Sequence, residues 1–532
     1  MVARDLDGSS LQAFWAGISF LLASVVFQPV CTSCSDVFGR KAALYACIAL
    51  FSAGSIIFGV AKNMRILILG RTVQGVGGGG LEALCEIILT DMTTLRERAL
   101  WLGIMGFVWA AGNLLGPILG GAFSQEVSWR WIAWINLPLM GVALVLLVPF
   151  LKLKTLETST RAKLRSLDWI GIALFMTGMT SACFGLTAGG VLFSWRDVGT
   201  ILPLMLGISV LSAFSIYERW PQEAIIPHRI FANRTGAIAL GTSTIHGVVL
   251  FGVLFYLPIY FEAVIGDRPL RSAVEALALA LTVTTFGISC SFAIDYTRKY
   301  CWAVWAGWTL TTAGMGILSL LDVNTNQARR VACQLALGIG LGTLFPALTI
   351  PTQAAVSCND NALASGTLVF ARQLGAVLGL ALGSSIFTNL FQNRLPKILP
   401  TELDGIESSN GAISIIPMLK EIELRADDLR MVVAAYEKAL QGLWYALTAI
   451  AGIGLLASLP MIDISLENDE TGRQVFEDKK VSSEKGGFKD RHTQADQKST
   501  VSQQYTLPQI DVAHDFATSE VRAWTEMGPS YA

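Results

Sequence analysis

The chain has 532 residues, of which 53% are hydrophobic and 15% charged, and its mean hydropathy is +0.53. A soluble domain carries roughly 25% charged residues, so this balance excludes a water-soluble globular protein and makes lipid the expected solvent. The net charge of −1 gives no basis for nucleic-acid binding. Fifty glycines suit membrane helices, where small residues let backbones approach. The nine cysteines are scattered, and Cys31-Thr-Ser-Cys34 lacks a thioredoxin-like setting, so plain apolar cysteines and no disulfide framework are expected. The opening "MVARDLDGSS" leads into an apolar run too long for a cleaved signal peptide.

A helix that crosses a bilayer needs about 20 mostly apolar residues. Such runs lie at about 11–31, 43–61, 66–90, 99–123, 131–151, 168–188, 198–217, 236–260, 271–294, 301–320, 329–350, 362–390 and 441–459, thirteen in all. The loops alternate in charge. Fourteen Lys and Arg residues fall in the set that begins with Arg40 and Lys41, against eight in the set that begins with Lys62 and Arg65. The richer set is expected in the cytoplasm, which puts the N-terminus outside and the tail inside. Residues 391–440 read as an outside loop with a short amphipathic helix near its end. Residues 462–532 are polar and read as a disordered cytoplasmic tail. Asn233-Arg-Thr235 is a glycosylation sequon on the cytoplasmic side, where no modification is expected.

Three stretches carry the functional signal. In "SDVFGRKAAL", Asp36 ends one span, Gly39 turns, and Arg40 and Lys41 open the next. Asp36 suits the positive end of a neighbouring helix, and Arg40 suits an acid at the inner end of another span, Asp91 being best placed. Such a latch holds one state of a moving bundle; the plainer role is positive-inside anchoring. In "LGRTVQGVGGGGLEAL", Arg71 and Gln74 lie inside an apolar run. An intramembrane arginine marks a functional site by default, snorkelling being the alternative, and Arg71→Ala is expected to abolish function at intact surface expression. The stretch from Gly75 to Gly80 matches G-x-G-x-x-G, but a dinucleotide site needs a strand–turn–helix setting. Mid-span, the glycines suit close helix contact and the thin wall of a cavity. In "WAAGNLLGPILGGAF", Gly112, Gly116 and Gly120 repeat every four residues beside Gly121, and Pro117 removes a backbone hydrogen bond. That pattern suits a hinge or a seam between bundles, or ordinary tight packing.

These pieces, in this order, resemble the major facilitator superfamily. Asp36-Val-Phe-Gly39-Arg40-Lys41 is similar to its loop motif, with Thr32 where the leading glycine is usual. Arg71-x-x-Gln74-Gly75 is similar to its span-4 motif, and the stretch from Gly112 to Gly121 to the span-5 motif of the antiporters. "SWRWIAWINLP", "LDWIGIALF", "YLPIYFEAVIG" and "FARQLGAVLGLALG" resemble the fungal fourteen-span drug:proton antiporters. The resemblance covers about 11–460. It places Asp36 after span 2, so the family's first span, with its acidic motif, has no match here; a truncated gene model is expected, and a defective copy is the alternative.

The resemblance implies an all-α polytopic protein with two six-helix bundles, two linker helices and about 13 spans present. The divisions are 1–165 for the first bundle, 166–230 for the linker helices, 231–461 for the second bundle and 462–532 for the tail. It implies alternating access around a midplane site, with no cofactor, metal or enzymatic chemistry. The partners are a small organic substrate, protons and the bilayer. A monomer in the plasma membrane is expected, the vacuolar membrane being the alternative. Glu82, Glu86 and His246 are proton-coupling candidates, and two carboxylates one turn apart can share a proton. Edge placement for Glu86 and plain packing for His246 compete with that role. Glu275 sits near the outer end and reads as wet. Trp109, Gln334, Arg372 and Gln373 are cavity candidates, with Trp134, Phe255 and Tyr256 as further aromatics. The cargo is left open among drugs, fungicides and a self-made toxin. A siderophore or other small-molecule transporter, and a transport-dead copy or sensor, stand as rivals. The lack of a G-x-x-x-x-G-K-[ST] stretch disfavours an ATP-driven pump.

Overall fold

The computed structural model describes residues 2–6, 8, 10–151, 165, 167–190, 192–221, 224–394 and 426–466. The described part is almost wholly helical. In chain order it runs α1 (Val2–Asp5), α2 (Ser10–Phe38), α3 (Arg40–Gly59), α4 (Met64–Met92), α5 (Leu95–Ala122), α6 (Trp131–Trp134) and α7 (Asn136–Phe150). It continues with α8 (Trp169–Ala188), α9 (Val198–Tyr217), α10 (Arg234–Ile259), α11 (Pro269–Thr297), α12 (Cys301–Leu318), α13 (Gln327–Ala354), α14 (Asn361–Arg394) and α15 (Ala426–Ser458). Each of the thirteen apolar runs carries a helix, the run at 131–151 being shared by α6 and α7. Among the described residues, ten helical segments are long and apolar enough to cross a membrane. The protein is a multi-pass membrane protein.

Helix starts follow the sequence. Asn63, Thr94, Asp168, Asp197, Asn233 and Asn326 each cap a helix by accepting a hydrogen bond from a first-turn N–H. Asn233 of the sequon is one of these caps. The stretch 391–440 is less open than the sequence suggests. Helix α14 runs on to Arg394, and α15 begins at Ala426 as one continuous helix of 33 residues; 395–425 lie outside the described residues. The tail beyond 466 also lies outside them. Its described start is pinned, because Asp463 accepts from the N–H groups of Tyr300 and Cys301 and thereby caps α12.

The helices pack in two groups. In the first, α4 lies against α2 and α3, and α6 and α7 also pack on α3. In the second, α10 to α15 surround a continuous apolar core that includes Trp308, Trp444, Tyr260 and Phe387. Helices α8 and α9 form a pair that touches α2 and α14 through α8. The groups meet where α14 crosses α2 and α4 and where α5 lies along α11, with a smaller contact of α5 on α13.

The glycine run explains the closeness of α4 to its neighbours. A Cβ on Gly79 would meet Ser24 of α2 at 2.5 Å, and one on Gly70 would meet the Phe58 backbone of α3 at 2.6 Å. Only glycine permits this spacing. The expected close contact is present. The expected thin cavity wall is not, since the run is spent on two helix neighbours.

Candidate transport cavity

A cavity of about 840 Å³ lies between α5 and α11, with α10 and α13 behind it. Its wall is mostly apolar and aromatic, with Trp109, Phe251, Phe255 and Phe345 among the lining side chains. At one end it reaches Glu86 and Thr349; at the other it reaches Ser124, Glu262 and Pro269. An apolar pocket with few convergent polar groups suits an organic ligand.

The polar groups converge at the Glu86 end. Glu82 and Glu86 lie one turn apart on α4, beside the Arg372–Gln373 stretch of α14. Gln373 Nε2 donates to Glu82 Oε2. The Arg372 guanidinium lies 3.7 Å from the centre of the Phe345 ring, and its Nη2 donates to Thr349 Oγ1 at 3.4 Å. Phe345 also meets Trp109 edge-on at 5.2 Å and His246 edge-on at 6.1 Å. Arg372 and His246 therefore meet one phenyl ring from α13, and Glu82, Glu86 and Gln373 lie at the same end of the cavity. Sequence reasoning passed over Phe345 and Thr349. The available signal was Pro346, which lacks the N–H for the Gly342 carbonyl and so marks an irregular turn.

Other candidates fall elsewhere. His246 is fully buried behind the wall, its Nε2 3.1 Å from the Leu341 carbonyl. Gln334 lies three turns from Phe345 beside Arg330, whose backbone carbonyl it bonds at 3.4 Å. Glu275 is not wet; it is buried and paired with Arg330 at 3.3 Å. Tyr256 packs on Phe387 and Trp134 lies against Gly59 rather than in the cavity. Arg71 is packed within the first group, about 16 Å along α4 from Glu82 at 1.5 Å per residue. Its Nη1 donates to Gln74 Oε1 at 2.8 Å, its Nε to the Ala16 carbonyl at 3.4 Å, and its guanidinium lies over Phe20 at 4.7 Å. Gln74 passes the contact on to Ser55 Oγ at 2.9 Å.

The end of the bundle beyond Glu86 is closed. Arg40, 1% exposed, donates from Nε to Asp91 Oδ2 at 3.0 Å and pairs with Asp36 through Nη2. Asp36 thus faces Arg40 at the start of α3. Gly39 has φ 97° and ψ 145°, which lets the chain turn from α2 into α3 within one residue. All three helices of this latch belong to the first group.

The span-5 glycines lie on the side of α5 that faces the cavity and do not pack closely there. A Cβ on Gly112, Gly116 or Gly120 would meet nothing within 4 Å, and all three line the cavity with Gly121. The close crossing of α5 with α11 sits deeper, where a Cβ on Gly106 would lie 2.9 Å from Ile288 and one on Gly103 3.3 Å from Ser291. The side chain of Pro117 lies outside the described residues.

Residues 1–380 match the Major Facilitator Superfamily. The chain belongs to that superfamily. It is 38% identical over 482 residues to the MFS transporter L2 of a Phoma species, covering 90% of this chain and 80% of that one. It is 38% identical over 483 residues to the MFS-type transporter sphD of Aspergillus fumigatus, covering 90% and 83%. To the efflux pump FUS6 of Gibberella fujikuroi it is 32% identical over 501 residues, covering 92% and 90%. Its fold is similar to that of the human organic anion transporter MFSD10 (TM-score 0.53, 14% identity, 84% and 83% covered). It is equally similar to the proton:xylose symporter XylE (TM-score 0.53, 14% identity, 86% and 88% covered). Superfamily membership agrees with the helical fold and makes the cavity between the helix groups the candidate site.

Proposed function

We propose that this protein exports amphipathic organic compounds in exchange for protons, by alternating access. One observation carries the reading: an apolar, aromatic-lined cavity ends on Glu86, one turn from Glu82 and beside the Arg372–Phe345 stack. Cargo lies against Trp109, Phe255 and Phe345, and a carboxylate of the Glu82–Glu86 pair takes up and releases the proton. With the Arg40, Arg96 and Arg298 end in the cytoplasm, the cavity opens outward and the latched end is the cytoplasmic one. The bundle divisions 1–165 and 231–461 rock about the cavity, and the helices of 166–230 lie between them. The protein acts as a monomer, in the plasma membrane. Efflux agrees with the names of the relatives.

Inside-out membrane vesicles test the reading. With an acid interior they accumulate rhodamine 6G, and a protonophore abolishes the accumulation. Gradient-driven accumulation only in right-side-out vesicles would point to uptake, as for a siderophore importer. No gradient-dependent movement in either orientation would favour the transport-dead copy.

A further inference from the structure

The Arg40–Asp91 and Arg40–Asp36 pairs join α2, α3 and α4 within the first helix group. A second polar knot crosses between the two groups. Thr90 Oγ1 on α4 lies 3.0 Å from Ser365 Oγ on α14. Gln353 Nε2, near the end of α13, donates to Ser365 Oγ at 2.8 Å and to Thr90 Oγ1 at 3.3 Å. Arg98 of α5 reaches Gln353 Oε1 at 3.4 Å and ties Nη2 to the Thr90 and Thr93 carbonyls at 3.0 and 2.9 Å. None of Thr90, Arg98, Gln353 and Ser365 is more than 1% exposed. Ala83, Ile87 and Ala362 form an apolar contact between the groups beside the knot.

We propose that Thr90, Arg98, Gln353 and Ser365 form the closure between the two helix groups at the Arg40 end, and that breaking this knot gates each transport cycle. The proposal rests on the alternating-access reading above. Buried hydrogen bonds are worth little net while made, but a buried partner left unmade carries the full desolvation cost. The closed state is therefore held by a set of bonds made or lost together. When this end opens, water replaces the partners and the cost disappears. The four groups act as positioning residues that set the balance between the two states, not as cargo ligands.

The test uses the full chain with its native cysteines replaced and one reporter cysteine at a time. Ala362→Cys reports the closed end, and Ser124→Cys reports the cavity mouth. Labelling by an impermeant maleimide is followed from each side of the membrane. Thr90→Val removes the hydroxyl at constant shape, and Thr90→Ser keeps it. Thr90→Val should speed labelling at Ala362→Cys about tenfold, the scale of one or two lost buried hydrogen bonds, and slow it at Ser124→Cys. Thr90→Ser should label as the parent does. Parental rates for Thr90→Val overturn the proposal, and so does Thr90→Ser labelling as fast as Thr90→Val. If Thr90→Val speeds both reporters through misfolding, Ser365→Ala decides by the same criteria. A parent whose two reporters ignore an imposed proton gradient overturns the transport reading as well. A responsive parent with an unresponsive Thr90→Val overturns the knot alone.

Discussion

Arg372 and Phe345 stack at 3.7 Å, guanidinium on ring, and so join α14 to α13 where the two glutamates of α4 arrive. The flat, delocalised cation suits both tasks: it lies on an aromatic face and still acts on two carboxylates. Arg372→Lys keeps the charge and loses the plate. It should lower the thermal midpoint through a contact worth about 1 kcal/mol, while gradient-driven export falls but persists. Arg372→Leu leaves Glu82 and Glu86 with no shared cation and should abolish export. Equal export by the Lys and Leu variants would remove the charge from the account.

Glu86 lines the cavity and Glu82 stands behind it, held by Gln373. The two carboxylates therefore differ in role although they share a face. Glu86→Gln should lower gradient-driven rhodamine 6G transport by about a hundredfold, the lower end of what a positioned proton-transfer group contributes, at unchanged protein level. Binding of the same probe without a gradient should survive. Glu82→Gln should retain the Gln373 contact and show the smaller loss. The reverse order would make Glu82 the carrier.

Arg40 tests the latch inside the first group. Its removal leaves Asp91 buried beside no direct partner on α3. Breaking a buried pair from one side costs about 3 kcal/mol or more, so Arg40→Ala should lower the thermal midpoint in detergent by several degrees. Gly39→Ala should act through the backbone instead, because φ 97° with ψ 145° costs any other residue about 1–3 kcal/mol. Its effect should persist in an Asp91→Asn background, whereas that of Arg40→Ala should shrink there.

The helices were legible because each is a long apolar run in a solvent that allows little else. Arg40 with Asp91 was legible because Asp91 is the acid at the matching inner end. The site was legible residue by residue but not as a whole. Glu82, Arg372, Gln373 and His246 each read as a polar group out of place in lipid, yet nothing local says that three helices bring them to one end of the cavity, beside Phe345 of a fourth. Phe345 gave no signal of its own, since a phenylalanine in an apolar run has no polarity out of place; only the neighbouring Pro346 marked the turn. Thr90, Gln353 and Ser365 read as ordinary small or polar span residues, because their meaning lies in crossing between groups. Gly112 to Gly120 misled for a different reason. The four-residue spacing announces a smooth face but not what lies opposite it, and here that is the cavity.

Arg71 changes standing once its neighbours are known. It is tied to Gln74, Ala16 and the Phe20 ring, within the first group and away from the cavity. Arg71→Ala removes a cation–π contact and leaves the Ala16 carbonyl and Gln74 oxygen short of a donor, a loss of about 1–3 kcal/mol. Folded protein at the surface should therefore fall together with export. Wild-type amounts of folded protein with no export would restore the direct role that the span-4 motif suggests.

Gly116 and Gly106 lie on the same helix, and they make opposite predictions. Gly116 has open space around it, whereas a Cβ at Gly106 would crowd Ile288 of α11 at 2.9 Å. In the present conformation Gly116→Leu should be accommodated, with a thermal midpoint close to that of the parent. If α5 and α11 close over the cavity when the bundle reverses, that face is the one that must approach, and a leucine there blocks it. Export should then be lost in a stable protein, with Ser124→Cys held accessible. Gly106→Leu should instead force α5 from α11 and lower the midpoint, overpacking costing about 1–3 kcal/mol. Normal export by Gly116→Leu would mean that the glycine face stays open throughout the cycle.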